Sequence, residues 1–210
     1  MVRKRAEMPQ KKKLSTGLIT MLTIGIMAVA VVIIFVTLPP EESDPSVMTK
    51  LELEQFDTTV WNSLYGAIAT YGNIKTAGNN WDSDRVYQDE LLVFCAECEE
   101  YLAAWKAELA ALLETESREP APGYIGACDA FYDSMGKVVG EMRAQAQTEN
   151  VDDRVPAVGW ENIADCDALL LALREVRLEF VKPAEFSADK QTKLEREMDT
   201  VIQSAGIVLP

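Results

Sequence analysis

Histidine is absent from all 210 residues. That removes imidazole metal ligands, histidine general bases and Ser–His triads in one step. It also keeps Cys95-Ala96-Glu97-Cys98 from being a c-type haem site, which needs histidine directly after the second cysteine. No Asn-x-Ser/Thr sequon and no GxSxG elbow occurs. Gly136-Lys137 lacks the earlier glycine and the following Ser/Thr of a phosphate loop. Asn80, Asp82 and Asp84 imitate the start of a calcium loop, but Arg85 stands where glycine is needed and Leu91 where glutamate is. Helix capping explains them better. No cofactor and no metal is expected.

Charge is also missing from one long stretch. Leu14 to Leu38 contains no ionisable side chain. As a helix this run extends about 38 Å at about 1.5 Å per residue, more than a hydrocarbon core of about 30 Å. Lys11-Lys12-Lys13 borders one end; Glu41, Glu42 and Asp44 follow the other. Basic residues stay cytoplasmic, so the N-terminus is read as inside and the remainder as extracytoplasmic, periplasmic or extracellular. A cleaved signal peptide has a shorter apolar region, and Ala28-Val29-Ala30 lies within this run rather than after it. The expectation is an uncleaved signal anchor in contact with membrane lipid through residues 14–38.

The domain reading is therefore a basic tail at 1–13, an anchor helix at 14–38, a proline-rich spacer at 39–46 and an acidic helical bundle at 47–210. Pro39, Pro40 and Pro45 make the spacer stiff and extended. Beyond residue 13 the chain holds 14 basic and 33 acidic residues. That balance repels nucleic acid and anionic surfaces, so no nucleic-acid partner is expected.

What is present in 47–210 is helical periodicity. Leu53, Phe56, Val60, Leu64, Ala67, Tyr71 and Ile74 recur at steps of three and four. So do Leu91, Phe94, Cys98, Tyr101, Trp105, Leu109 and Leu112, then Tyr124, Cys128, Phe131, Met135, Val138 and Met142. A fourth stripe is Cys166, Leu169, Leu173, Val176 and Phe180, and a shorter fifth is Leu194, Met198 and Val201. Each gives one apolar face, as core-facing helices require. Gly78-Asn79-Asn80, Pro120-Ala121-Pro122-Gly123, Asp152–Pro156 and Pro183 separate them, with Asp82 or Ser83 and Ser187 or Asp189 as caps. Short connections favour antiparallel neighbours. The fold class is all-α: a transmembrane helix followed by an antiparallel bundle of four to five helices.

Four cysteines in an oxidising compartment suggest disulfides. If residues 82, 147 and 158 lie at one end of the bundle, Cys98–Cys128 is the best-matched bridge and Cys95–Cys166 the second. A redox role for Cys95-x-x-Cys98 fits poorly, because the pair lies mid-helix beside Glu97, Glu99 and Glu100, which raise thiol pKa values. Gly136 and Gly140 share a face and are candidates for close packing or a pocket. Trp81 and Trp160 flank helix starts and are candidates for partner contact.

The expected function is a non-enzymatic interaction module or accessory subunit with a protein partner in the membrane or envelope. A small-molecule sensor domain working through a separate signalling partner is the alternative. A CxxC thiol oxidoreductase ranks third.

Overall fold

The computed structural model describes residues 46–80, 88–148 and 153–209. The expected tail, anchor and spacer up to residue 45 lie outside them, as do Trp81, the caps at Asp82 and Ser83, and Asp152. Among the described residues no helix is long and apolar enough to cross a membrane.

The described residues are all-helical in class, with five α-helices among them: α1 (Lys50–Asn80), α2 (Gln88–Thr115), α3 (Ala121–Ala146), α4 (Glu161–Val181) and α5 (Ala188–Ser204). Two single 3-10 turns, Ala157–Gly159 and Lys182–Ala184, lead into α4 and out of it. The helices start where local chemistry supplies partners for orphan backbone N–H groups. At α1, Thr49 and Glu52 form a capping box: the Thr49 N–H donates to Glu52 Oε2 at 2.7 Å and the Glu52 N–H donates to Thr49 Oγ1 at 3.4 Å. Pro120 and Pro122 open α3, where a missing N–H costs nothing. Ser187 caps α5 by accepting from the Lys190 N–H.

The start of α4 is completed by another helix. Trp160 occupies its N-cap and offers no side-chain acceptor. The carboxylate of Glu141, on α3, accepts instead from the N–H groups of Glu161 (2.9 Å) and Asn162 (3.1 Å). A negative charge there also complements the helix dipole. At the other extreme of the chain, Gly206 takes a left-handed φ of 75° after α5, and the Ile207 N–H returns to Ile202 O.

Side-chain pairs give the topology. Leu102 faces Gly136 and Lys106 pairs with Asp133, so α2 and α3 run antiparallel. Glu141 to Asn162 makes α3 and α4 antiparallel, and Asp57 to Arg177 with Tyr71 to Asp167 does the same for α1 and α4. Trp105 against Gly66 pairs α1 with α2. The four helices alternate up and down, and α3 sits between α2 and α4. The fifth, α5, lies in the channel between α1 and α4, where Lys190 pairs with Glu54, Arg174 with Asp199, and Ala205 rests on Gly72. One continuous core from Met48 to Ile207 joins all five.

Candidate functional site

Among the described residues the core contains one charged layer. Asp57 of α1 and Arg177 of α4 are both buried, Arg177 at 2% exposure. Arg177 Nε donates to Asp57 Oδ1 at 2.8 Å and NH2 donates to Oδ2 at 2.9 Å, a bidentate fork. Tyr124 Oη of α3 donates to the same Oδ1 at 3.1 Å. Burial pushes the Tyr124 hydroxyl well above its ordinary range, so it stays a donor. For Arg177 burial opposes the charge, but the hydrogen bonds and charge of Asp57 outweigh it and the guanidinium is held protonated. Arg177 NH1 has no hydrogen-bond partner.

Above this layer lies an aromatic lid. The ring of Trp61, one turn along α1 from Asp57, stacks over Arg177 Cζ at 3.7 Å. Trp61 meets Tyr65 edge-on at 6.0 Å. Together they form one wall of an open groove of about 890 Å³ between α1 and α5. The opposite wall is Thr192, Lys193, Arg196, Glu197 and Thr200 of α5. This is an aromatic, mixed-charge concavity of the size that small ligands or a partner's helix occupy. Nothing in its lining is a nucleophile held by a base.

The four cysteines do not form a site. Each is a free, buried thiol, and neither expected bridge is present. The register explains why. Leu102 opposite Gly136 puts Cys98 opposite Gly140, twelve residues from Cys128, an axial offset of about 18 Å. Cys95 lies against Arg143, whereas Cys166 lies against Ser134 and Tyr71, nine residues lower on α3 or about 14 Å away. Disulfides need Cα atoms within about 7 Å. The expected alignment assumed that residue 82 opposes residue 147; the helices are in fact shifted by roughly two and a half turns from it, on the order of 14 Å. Burial raises all four thiols, Cys98 and Cys166 to about 12. At Cys98 the neighbouring charges of Cys95, Glu97 and Glu99 raise it further. Such thiols are poor nucleophiles.

The glycine and tryptophan candidates also fall differently. Gly140 is exposed with open space where a side chain would go, and Gly136 has only Leu102 Cδ1 at 3.9 Å, so neither marks close packing or a pocket. The close approach is at Gly78, whose added Cβ would lie 2.5 Å from the Trp160 ring. Trp160 is 7% exposed, and its indole N–H donates to Val155 O at 2.8 Å. It locks the α3–α4 connection onto the end of α1 and is not free for a partner. Trp81 lies outside the described residues.

Sequence reasoning missed Asp57, Arg177 and Trp61 as a unit. Asp57 and Arg177 fall just beside the apolar stripes of α1 and α4, where a lone charge reads as an edge position; only the pairing in space shows them to be core. Among the described residues no cluster of acids and cysteines is arranged to hold a metal ion.

Comparison with protein-family models, with curated proteins and with solved structures found no match.

Proposed function

We propose that the chain is a single-pass membrane protein whose extracytoplasmic bundle works by contact with a protein partner, without chemistry of its own. The observation that carries the reading is the contrast between surface and interior. The open groove has aromatic walls, Trp61 and half-exposed Tyr65, while every cysteine is sealed in the core. Aromatic residues are enriched where proteins meet, and buried high-pKa thiols are inert. The uncharged run Leu14–Leu38 with Lys11–Lys13 before it supports an anchor with its N-terminus in the cytoplasm.

A small-molecule sensor is the second reading, favoured by the groove's volume and by the unpartnered Arg177 NH1 behind Trp61. Purification of the tagged full chain from its native membrane tests the first reading. The chain should resist alkaline carbonate extraction and elute with a stoichiometric protein partner, itself or another. A strictly monomeric species eluting alone overturns the contact reading, and carbonate release overturns the anchor.

A further inference from the structure

The distribution of charge singles out one face. The described residues carry 26 acids and 13 bases, so two copies of this domain repel each other over most of their surfaces. Along α1 beyond Glu54, however, the only charged residues are Asp57, which is buried, and Lys75, which is tied to Asp167. The exposed side of α1 is Thr58, Thr59, Asn62, Tyr65, Ala69 and Asn73. Its neighbour α2 borders this surface with Ala104, Ala111 and the half-exposed Tyr101, which stacks on Trp105 at 5.9 Å, and with the exposed acids Glu97, Glu100 and Glu108 along the same side. Tyr65 and Tyr101 are 52% and 49% exposed. Loss of charge with gain of aromatics is the composition of an interface centre.

We infer that this α1 face is where a second copy of the chain docks, in a parallel pair about a two-fold axis running along α1. The inference deepens the contact reading above by naming the partner. A basic partner would be drawn to the acidic faces, not to the neutral one. A neutral face selects another neutral face, and pairing the two α1 faces opposes no exposed acid of α1 beyond Glu54 to another.

The rim fixes the direction. On one side of the face stands Glu108 of α2, accepting from Ser63. On the other side stands Arg196 of α5, beside Asp189 and Lys193, the latter paired with Glu197 at 3.7 Å. Lys190 pairs with Glu54 and Ala205 rests on Gly72, so Arg196 is level with the part of α1 near Trp61 and Ser63. Rotation about an axis parallel to α1 brings Glu108 of each copy toward Arg196 of the other. An antiparallel pair would oppose Glu108 to Glu108 and α5 to α5. In the parallel pair the edge of α2 also meets the open α1–α5 groove of its partner and fills it.

The face from Thr58 to Asn73 is about 23 Å long and, with α2, two helices or about 20 Å wide. That gives on the order of 460 Å² in projection, somewhat over half of the about 800 Å² per partner of a standard interface. Confinement of both copies in one membrane would raise their effective concentration and favour so modest a contact.

Single cysteines in the full chain test this: Ala69→Cys on the face and Lys137→Cys, an exposed position on α3, as control. In membranes treated with a mild oxidant, Ala69→Cys should give a covalent dimer of twice the chain mass and Lys137→Cys should not. A double variant, Asn62→Asp with Ala69→Glu, adds charge at exposed positions and should weaken dimerisation of the full chain in detergent at least about tenfold by sedimentation, with an unchanged circular-dichroism melt. Equal crosslinking at both positions, or none at Ala69→Cys, overturns the pairing. A crosslink from Ala69→Cys to a different protein also overturns it while preserving the contact reading. Absence of every adduct, together with monomeric purification, removes both.

Discussion

At the scale of single residues the structure depends most on Asp57 and Arg177. Each is an ion removed from water, and each is tolerable only because the other lies within hydrogen-bonding distance. Arg177→Met should therefore cost about 3–5 kcal/mol of unfolding free energy in urea titration, because Asp57 is left buried without its counter-charge. Asp57→Leu combined with Arg177→Met should recover most of that loss; equal stability of the single and double variants would show that the pair is not coupled. Glu52 makes a second, pH-dependent contribution. The Arg118 hydrogen bond, and then the Thr49 N–H, hold its carboxyl down at about 2 against an ordinary 4.5. A depressed folded-state pKa stabilises above the unfolded value and fades as pH falls toward the folded one. Glu52→Gln should thus melt below the native chain at pH 7, with the gap narrowing from about pH 4.5 down toward pH 2. A gap that stays constant across that range would assign the effect to something other than ionisation. The cysteines add a simple count. With no reductant present, alkylation should label none of the four in the native protein at pH 8 and all four after denaturation, as read by intact mass.

Among elements, the positions that end helices were easier to read than those that set their register. Pro120, Pro183 and Ser187 are local signals, and the breaks fall at them because proline and a capping hydroxyl act on their own few residues. Apolar stripes likewise identified the inner faces of α1, from Leu53 to Ile74, and of α3, from Tyr124 to Met142, but they missed on two others: on α2 the expected Tyr101 is half-exposed while Cys95 and Leu102 are buried, and on α4 Leu170 is buried in place of Leu169. Register is different. It is decided by pairs far apart in sequence, such as Trp105 on Gly66 and Ala205 on Gly72, and a periodic pattern is indifferent to sliding by one turn. The cysteine bridges failed for that reason. Glycine shows the same division. Gly136 and Gly140, spaced as if to admit a neighbour, meet almost nothing, while Gly78 accommodates the indole of Trp160. Gly78→Ala would ordinarily favour a helix, yet here the methyl overlaps a ring held by its own hydrogen bond. We expect a net loss of about 1–3 kcal/mol by chemical denaturation, the usual range for overpacking. A gain would mean that the α3–α4 connection yields easily and that Trp160 does not clamp it.

For the whole molecule the central question is whether the fold stands without the proposed anchor. Among the described residues the core begins at Met48, the first cap is built from Thr49 and Glu52, and ion pairs from Lys50 onward cross between the helices. Val47, bridged to Glu119, and Lys50, paired with Glu185, tie the start of the bundle to the α2–α3 turn and to the α4–α5 turn. A chain beginning at Ser46 should therefore be soluble and should melt within about 2 °C of the full protein in detergent, which for a domain of this size means less than about 1 kcal/mol of difference. The full chain should instead sediment with membranes, since 25 uncharged residues are costly to leave in water. The two measurements separate two physical claims. If the shortened chain is folded but the full chain is also soluble, residues 14–38 are no anchor and the localisation falls while the bundle stands. If the shortened chain unfolds, the bundle does not stand on residues 46–210 alone.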